Sequence, residues 1–522
     1  MKISSYINPA KKRPWVRRVA DYSPGSAGRG FSLKTMTQDD FLNEVCPAAH
    51  PINSPMMSRR PIYGPTGEKD KNGKDKWAIV GYDDIETVAI GKQEAIIGKK
   101  IAHFAGDGFW VSNESEDSDR FSTLMSRFDM AGIKTGYIEA VRAAFRTGDS
   151  AIYVYQTNDP DDPIDYQVYD YEHGSTLFPR ESFDGRKTLA RKYKFDGHDA
   201  VDIFTPDTIE TWMMLDEGME DYRQLIPEGT PIEKSEDGYT LVKRKAAQAG
   251  SNLCQCIYFR VDDIPTGPAQ PAIEKLEDAK TYVGEHLKGS SMPILFMKAE
   301  KTTSLPPSNL ANKIVGVKGT ADALAHADMK FVAPPDASNI ATFHINGVEQ
   351  DIRDTCMSVF IDPEVIKQGS DSSTTMRILY DPEIQWAMIH WPEFEKSVKQ
   401  LMLVFKALVG KAEEDVTGFA ALKISIGQQI YVPQNKAEAL KMELDAVYGR
   451  IKSRKAAIID SGNTHKGDYE QVQREWEEEL KMKAEIPAEA KAKYGTNGDG
   501  GEEPKDNPGD VNNQAPGKSI QQ

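Results

Sequence analysis

Residues 271–289, PAIEKLEDAKTYVGEHLKG, and residues 345–364, INGVEQDIRDTCMSVFIDPE, decide the fold. In the first, Ile273, Leu276, Lys280, Val283 and Leu287 share one face at helical spacing. In the second, Ile345, Val348, Ile352, Cys356 and Val359 recur every three to four residues, and Asp362-Pro363 is expected to end the helix. Between them lie a short apolar strand, MPILFMKAE, and a loop-rich insert over 301–337 with Pro306-Pro307 and Pro334-Pro335. Two helices flanking an insert form an antiparallel hairpin with the insert at its tip. Each helix has a narrow apolar stripe and otherwise carries Glu, Asp, Lys and Gln. One chain cannot bury such a hairpin alone. Copies set head to tail around an axis can, and they leave a polar bore.

Upstream, a Pro-rich hinge, DDIPTGPAQP, follows a segment of mixed helix and strand. The sequence predicts a hairpin at 60–82 with Asn72-Gly73 at its turn, and helices over 84–105 and 117–147, the second stopping at Gly148-Asp149. Strands are expected at 150–156, 165–171, 190–195, 200–205, 210–215 and 254–261, where β-branched and aromatic residues alternate with Asp, Pro and Gly turns. Residues 1–55 read as an extended arm with a basic cluster, Lys11, Lys12, Arg13, Arg17 and Arg18, around Trp15. Two readings fit it: a solvated arm, or one that docks on an acidic partner or nucleic acid.

Downstream, DPEVIKQGSDSSTTMR (362–377) reads as an exposed Gly/Ser/Thr loop. Ser372 to Thr375 offer N-caps to a long helix reaching Lys411, which Pro382 and Pro392 should kink or interrupt. A strand at 423–433 precedes Lys/Glu-rich helices to about Lys493. Beyond Gly495 no aromatic residue occurs, and a disordered tail is expected.

The 522 residues carry 64 Lys and Arg against 80 Asp and Glu, a net charge of −16. A protein that grips phosphate by counterion release should be basic at least locally, so if this chain meets nucleic acid it lets it pass. No run of 18 apolar residues occurs, and MKISSYINPAKKRPWVRR lacks the apolar stretch of a signal peptide, so an intracellular compartment is expected. Of four cysteines only Cys254 and Cys256 are close, and i, i+2 residues of a strand share a face, so two packed thiols are expected there.

No catalytic signature survives inspection. Gly98-Lys99-Lys100 lacks the hydroxyl of a phosphate loop, and Gln93 stands where its first Gly belongs. Asp70-x-Asn72 fails as a calcium loop, with Asp75 at the sixth position and Gly81 at the twelfth. Gly106-Asp107-Gly108 has no third Gly in register, HExxH and GxSxG are absent, and the nine histidines are scattered. The acidic run Asp159, Asp161, Asp162 and Asp165 reads as a solvated turn. The expectation is a protein that is not an enzyme and needs no cofactor or metal.

In order of parts the chain resembles the portal (connector) proteins of tailed bacteriophages over roughly residues 80–485. IETVAIGKQEAIIGKKIAHFAGDGF is similar to the family's N-terminal helix, and RAAFRTGDSAIYVYQ with YQVYDYEHGSTLFP to its wing strands. The two hairpin helices resemble its stem. GSDSSTTMRILYDPEIQWA resembles its tunnel loop running into a long helix, although Met376-Arg377 stand where the family often has a small apolar pair and a Lys. ISIGQQIYVPQNKAEALKMELDAVYGRIKSRKAAI and DYEQVQREWEEEL resemble the closing strand and crown helices.

The resemblance implies an α+β portal fold: an N-terminal arm (1–55), α/β wing (56–262), first stem helix (263–291), clip (292–337), second stem helix (338–361), tunnel loop (362–377), long kinked helix and wing strand (378–434), crown helices (435–494) and tail (495–522). It implies a cyclic homo-oligomer, usually of twelve subunits, at one capsid vertex, through which double-stranded DNA is packaged and ejected. The implied partners are the major capsid protein, the terminase large subunit, a head-tail adaptor and a scaffold. Twelve copies would carry on the order of 190 net negative charges, a wall that repels phosphate. Lys367, Gln368, Ser370, Ser372, Ser373, Thr374 and Arg377 are the candidate channel residues. Lys367 and Arg377 would form weak basic rings, or would merely keep the loop soluble. Two other functions compete: another virion ring such as a head-completion or tail adaptor, and a DNA-packaging nuclease or ATPase.

Overall fold

The computed structural model describes residues 2–20, 31–53, 59–69, 75–84, 87–115, 117–159, 163–181, 185–215, 233–250, 253–290, 294–299, 314–318, 329–332, 338–360 and 378–430, with residues 441, 444, 445 and 448. The chain divides into two units, Met1–Pro433 and Gln434–Gln522. The expected tunnel loop, the Asn72-Gly73 turn and the tail lie outside the described residues, as do the crown helices apart from those four helical positions.

The first unit is a mixed α and β assembly. Strands β1 (Trp15–Ala20) and β2 (Phe31–Met36) pair antiparallel and lead into α1 (Gln38–Val45), whose N-cap Thr37 forms a reciprocal capping box with Asp40. The predicted hairpin is β3 (Arg59–Lys69) with β4 (Asp75–Asp84). Helix α2 (Lys92–Ala105), strand β5 (Phe109–Asn113), and helices α3 (Ser118–Met130) and α4 (Ile133–Thr147) follow. Strand β6 (Asp149–Gln156) is the middle of an antiparallel sheet with β7 (Ile164–Asp170) on one side. Strands β8 (Thr176–Glu181), β9 (Lys187–Phe195), β10 (His198–Phe204), β11 (Thr208–Met213) and β12 (Thr240–Ala246) form a meander in chain order. Strand β13 (Cys256–Arg260) then completes the other side of β6, with Ile257 opposite Ile152.

Helix α5 (Gln270–Ser290) and helix α6 (Ser338–Thr355) pack together and flank β14 (Ile294–Ala299), β15 (Ile314–Lys318) and β16 (Met329–Val332). Helix α7 (Asp381–Ala412), the short α8 (Val416–Ala421) and β17 (Ile424–Gln428), paired with β5, close the described part.

Strand β6 is buried along most of its length because both faces are covered. Ile152 and Val154 join Tyr137, Val141 and Phe145 of α4 and Phe394, Leu401 and Phe405 of α7. Ala151 and Tyr153 face the meander through Leu177, Leu189, Phe204 and Ile209. Cys254 and Cys256 sit in that second layer as free, buried thiols on one side, as their spacing predicts. Gly148 ends α4 in the left-handed region (φ 89°). A Cβ there would stand 2.8 Å from the Trp15 ring and 3.1 Å from that of Phe41.

Several expectations are corrected. The N-terminal segment is not simply an extended arm: Lys12, Trp15 and Arg17 have partners far along the chain. Trp15 is buried and its indole donates to Val261 O at 2.9 Å. The Arg17 guanidinium forks onto Glu44 and Asp263, and Lys12 bonds the fully buried Asp149 at 2.6 Å. The helix expected from residue 84 starts only at Lys92, and the one expected over 117–147 breaks at Gly132 (φ 62°). Thr176–Glu181 and Thr240–Ala246 are strands that pattern alone did not reveal. The insert is not merely loop: β14 lies between parallel β15 and antiparallel β16. Pro382 kinks nothing, because in the first turn of α7 its missing N–H is not needed, and the helix continues through Pro392.

Candidate functional site: the root of the helical hairpin

The apolar stripes of α5 and α6 meet at their roots and nowhere need a kink to do so. Ile273 and Leu276 pack with Val348, Ile352 and Cys356 around Ile96 of α2. Farther along, Tyr282 and Phe343 are 63% and 82% exposed, so among the described residues their own chain leaves them in solvent.

Polar groups pin this root to the segment before α2. Val88 N–H donates to Thr281 Oγ1 at 3.1 Å, and Ile90 N–H donates to Glu277 Oε1 at 2.9 Å. These bonds explain why α2 starts late: residues 88 and 90 spend their amides on α5 and not on a helical turn. Glu277 is fully buried, and burial pushes its carboxyl up to about 7. Its Oε2 lies 3.5 Å from His50 Nε2. Ile52 N–H donates to His50 Nδ1 (3.3 Å), and Gln93 Nε2 lies 3.3 Å from His50 Nε2. Burial holds the His50 ring below its ordinary range.

At the end of α6, Ser358 N–H reaches back to Arg353 O at 2.9 Å while Met357 takes a left-handed φ of 49°. This is a Schellman stop with Met in the position usually held by Gly. It ends the helix before Val359, which the periodicity had included. The chain turned out by that stop is tied to the start of α7. Lys100 of α2 is fully buried and donates to Glu383 Oε2 at 2.6 Å and to Met357 O at 2.9 Å. Glu383 Oε1 in turn accepts from Val359 N–H at 3.1 Å, and Lys99 donates to Val359 O at 2.5 Å. Burial makes the Lys100 ammonium easier to deprotonate, and Glu383 opposes that.

Described residues on either side of 361–377, Met357 and Val359 before it and Glu383 after it, are therefore joined through one buried ion pair. Lys367, Gln368, Ser370, Ser372, Ser373, Thr374 and Arg377 all lie outside the described residues. Lys100 and Glu383, which join the described residues flanking that segment, escaped sequence reasoning. A Lys in the apolar face of α2 and a Glu two residues into a helix beginning with Pro were the available signals. Among the described residues no group of three or more His, Cys, Asp or Glu side chains is placed to hold a metal ion, and no helix is long and apolar enough to cross a membrane.

No family model matches this chain, and no curated protein matches it. Solved structures similar to it include a chain in the virion of a native gene transfer agent particle, 12% identical with a TM-score of 0.33 over 71% of this chain and 89% of that one. Another is a chain in the neck of an empty gene transfer agent particle, 11% identical with a TM-score of 0.33 over 71% of this chain and 88% of that one. Superpositions this loose stand as similarities of shape and carry no weight for function.

Proposed function

We propose that the protein is a portal-type ring subunit, a passage for double-stranded DNA at a capsid vertex with no chemistry of its own. The observation that carries this reading is the hairpin. Helices α5 and α6 bury their stripes on α2 at the root, carry a stranded insert between them, and leave Tyr282 and Phe343 uncovered. Large aromatics at helix surfaces favour burial by roughly 25 cal/mol per Å2, and neighbouring copies of the same hairpin would supply it. The buried pair joining the described residues that flank 361–377 would suit a channel-facing segment repeated in every copy. Terminase, adaptor, capsid protein and scaffold would dock on this ring, with the insert as platform for the packaging motor.

The test is direct. The purified chain, imaged by negative stain and sized by sedimentation, is expected as a cyclic particle with an axial opening wide enough for duplex DNA. A stable monomer at micromolar concentration would end this reading.

A further inference from the structure

The hairpin root carries opposite charge on its two flanks. On α6 the buried row is Ile345, Val348, Ile352 and Cys356. At about 100° per residue, Glu349 and Arg353 fall on one side of that row, and Asp351 and Asp354 fall on the other. The Arg353 flank meets three lysines. Lys92 and Lys99, two turns apart on α2, stand 4.6 and 3.8 Å from the centroid of the Phe360 ring. Burial lowers both ammonium groups, and the charge of Arg353 lowers both further; Lys280 of α5 adds to the effect on Lys92. Four cations thus gather where the carboxylates within reach are Glu349, 3.4 Å from Lys280, and Glu383, already committed to Lys100. This concentration stands in a chain of net charge −16. On the opposite flank Asp351 and Asp354 are exposed; Asp354 Oδ1 accepts from Gln350 Nε2 at 2.8 Å, and no ion pair to either is seen among the described residues.

We infer that the basic flank formed by Lys92, Lys99 and Arg353 receives the acidic flank, Asp351 and Asp354, of a second copy of this chain. Either flank placed against itself, as in a two-fold dimer, would oppose like charges, which costs several kcal/mol. Head-to-tail pairing joins unlike flanks throughout, and that arrangement is one that closes into rings. The inference rests on the ring reading above and names the contact that would build it.

Reversing one side (Lys92→Glu with Arg353→Glu) or the other (Asp351→Lys with Asp354→Lys) is expected to raise the concentration for half-assembly by about tenfold or more, as for close charge pairs. Combining all four substitutions should restore assembly, because every interface then pairs swapped charges. The neutral pair Lys92→Gln with Arg353→Gln, checked for native circular dichroism, serves if reversal unfolds the chain, and should weaken assembly in the same direction. Raising salt from about 0.05 to about 0.5 M should weaken wild-type rings and leave the neutral variant less affected. Wild-type rings indifferent to reversal of either flank, or folded single-side variants not rescued by the combination, would overturn the inference alone. A wild-type chain that forms no ring overturns the parent reading as well.

Discussion

Replacing Lys100 by Met tests the buried pair that joins the described residues flanking 361–377. The substitution keeps most of the side-chain volume beside Trp386, whose ring lies 4.7 Å from Nζ, and removes only the charge and its donors. Glu383 is then left fully buried with a single hydrogen bond, from Val359 N–H, and Met357 O loses its donor. Stranding one member of a buried pair costs about 3–5 kcal/mol. Glu383→Gln keeps an acceptor for Val359 but strands the lysine, and a comparable cost is expected. The double variant removes both charges, so only the weakened hydrogen bonds remain, at about 1–2 kcal/mol. Urea unfolding followed by tryptophan fluorescence, to which Trp386 contributes, gives the four corners of the cycle. From these costs a coupling of about 4 kcal/mol or more is expected. If Lys100→Met costs less than about 1 kcal/mol, or if the two single effects simply add, the two side chains are not coupled and the reasoning fails.

Glu277→Gln should act through pH. A buried carboxyl raised from 4.5 to about 7 resists ionisation in the folded chain by about 3 kcal/mol. Wild-type stability from this group is therefore intact below pH 4.5 and falls as pH rises to about 7. The amide variant, which still accepts from Ile90, should be the more stable protein at pH 8 and its equal at pH 4.5; a variant less stable than wild type at pH 8 would contradict this. His50 contributes a slope of the opposite sign below its ordinary value, so the comparison is made against wild type at each pH. Gly148→Ala should cost about 2–4 kcal/mol, from the left-handed backbone and from overpacking against Trp15 and Phe41, read as a fall in urea midpoint. Deleting 362–376 should leave ring assembly intact and impair DNA packaging or retention; loss of assembly would place that segment in the subunit interface.

Strand and helix identities in the wing were legible wherever one period dominated. Residues 150–156 and 254–261 are β-rich runs bounded by turns, and they form β6 and β13 within one or two residues. The two hairpin helices were legible for the same reason. Helix ends were less so, because they depend on partners far along the chain: Glu277 and Thr281 hold the amides that delay α2, and Arg353 O receives the bond that ends α6. The basic cluster near Trp15 misled for a related reason. Its counter-charges, Asp149, Glu44 and Asp263, are separated from it in sequence, and charge alone does not reveal which carboxylate a lysine will meet.

Sequence by itself determined the order of parts, the apolar stripes of the hairpin and the stop at Gly148, because periodicity and backbone sterics act over a few residues. Tertiary structure alone decided that Lys100 and Glu383 meet, that Lys12, Trp15 and Arg17 find their partners far along the chain, and that one flank of the hairpin is basic and the other acidic. Those outcomes depend on pairing groups hundreds of residues apart, and burial decides whether such a pair is worth forming.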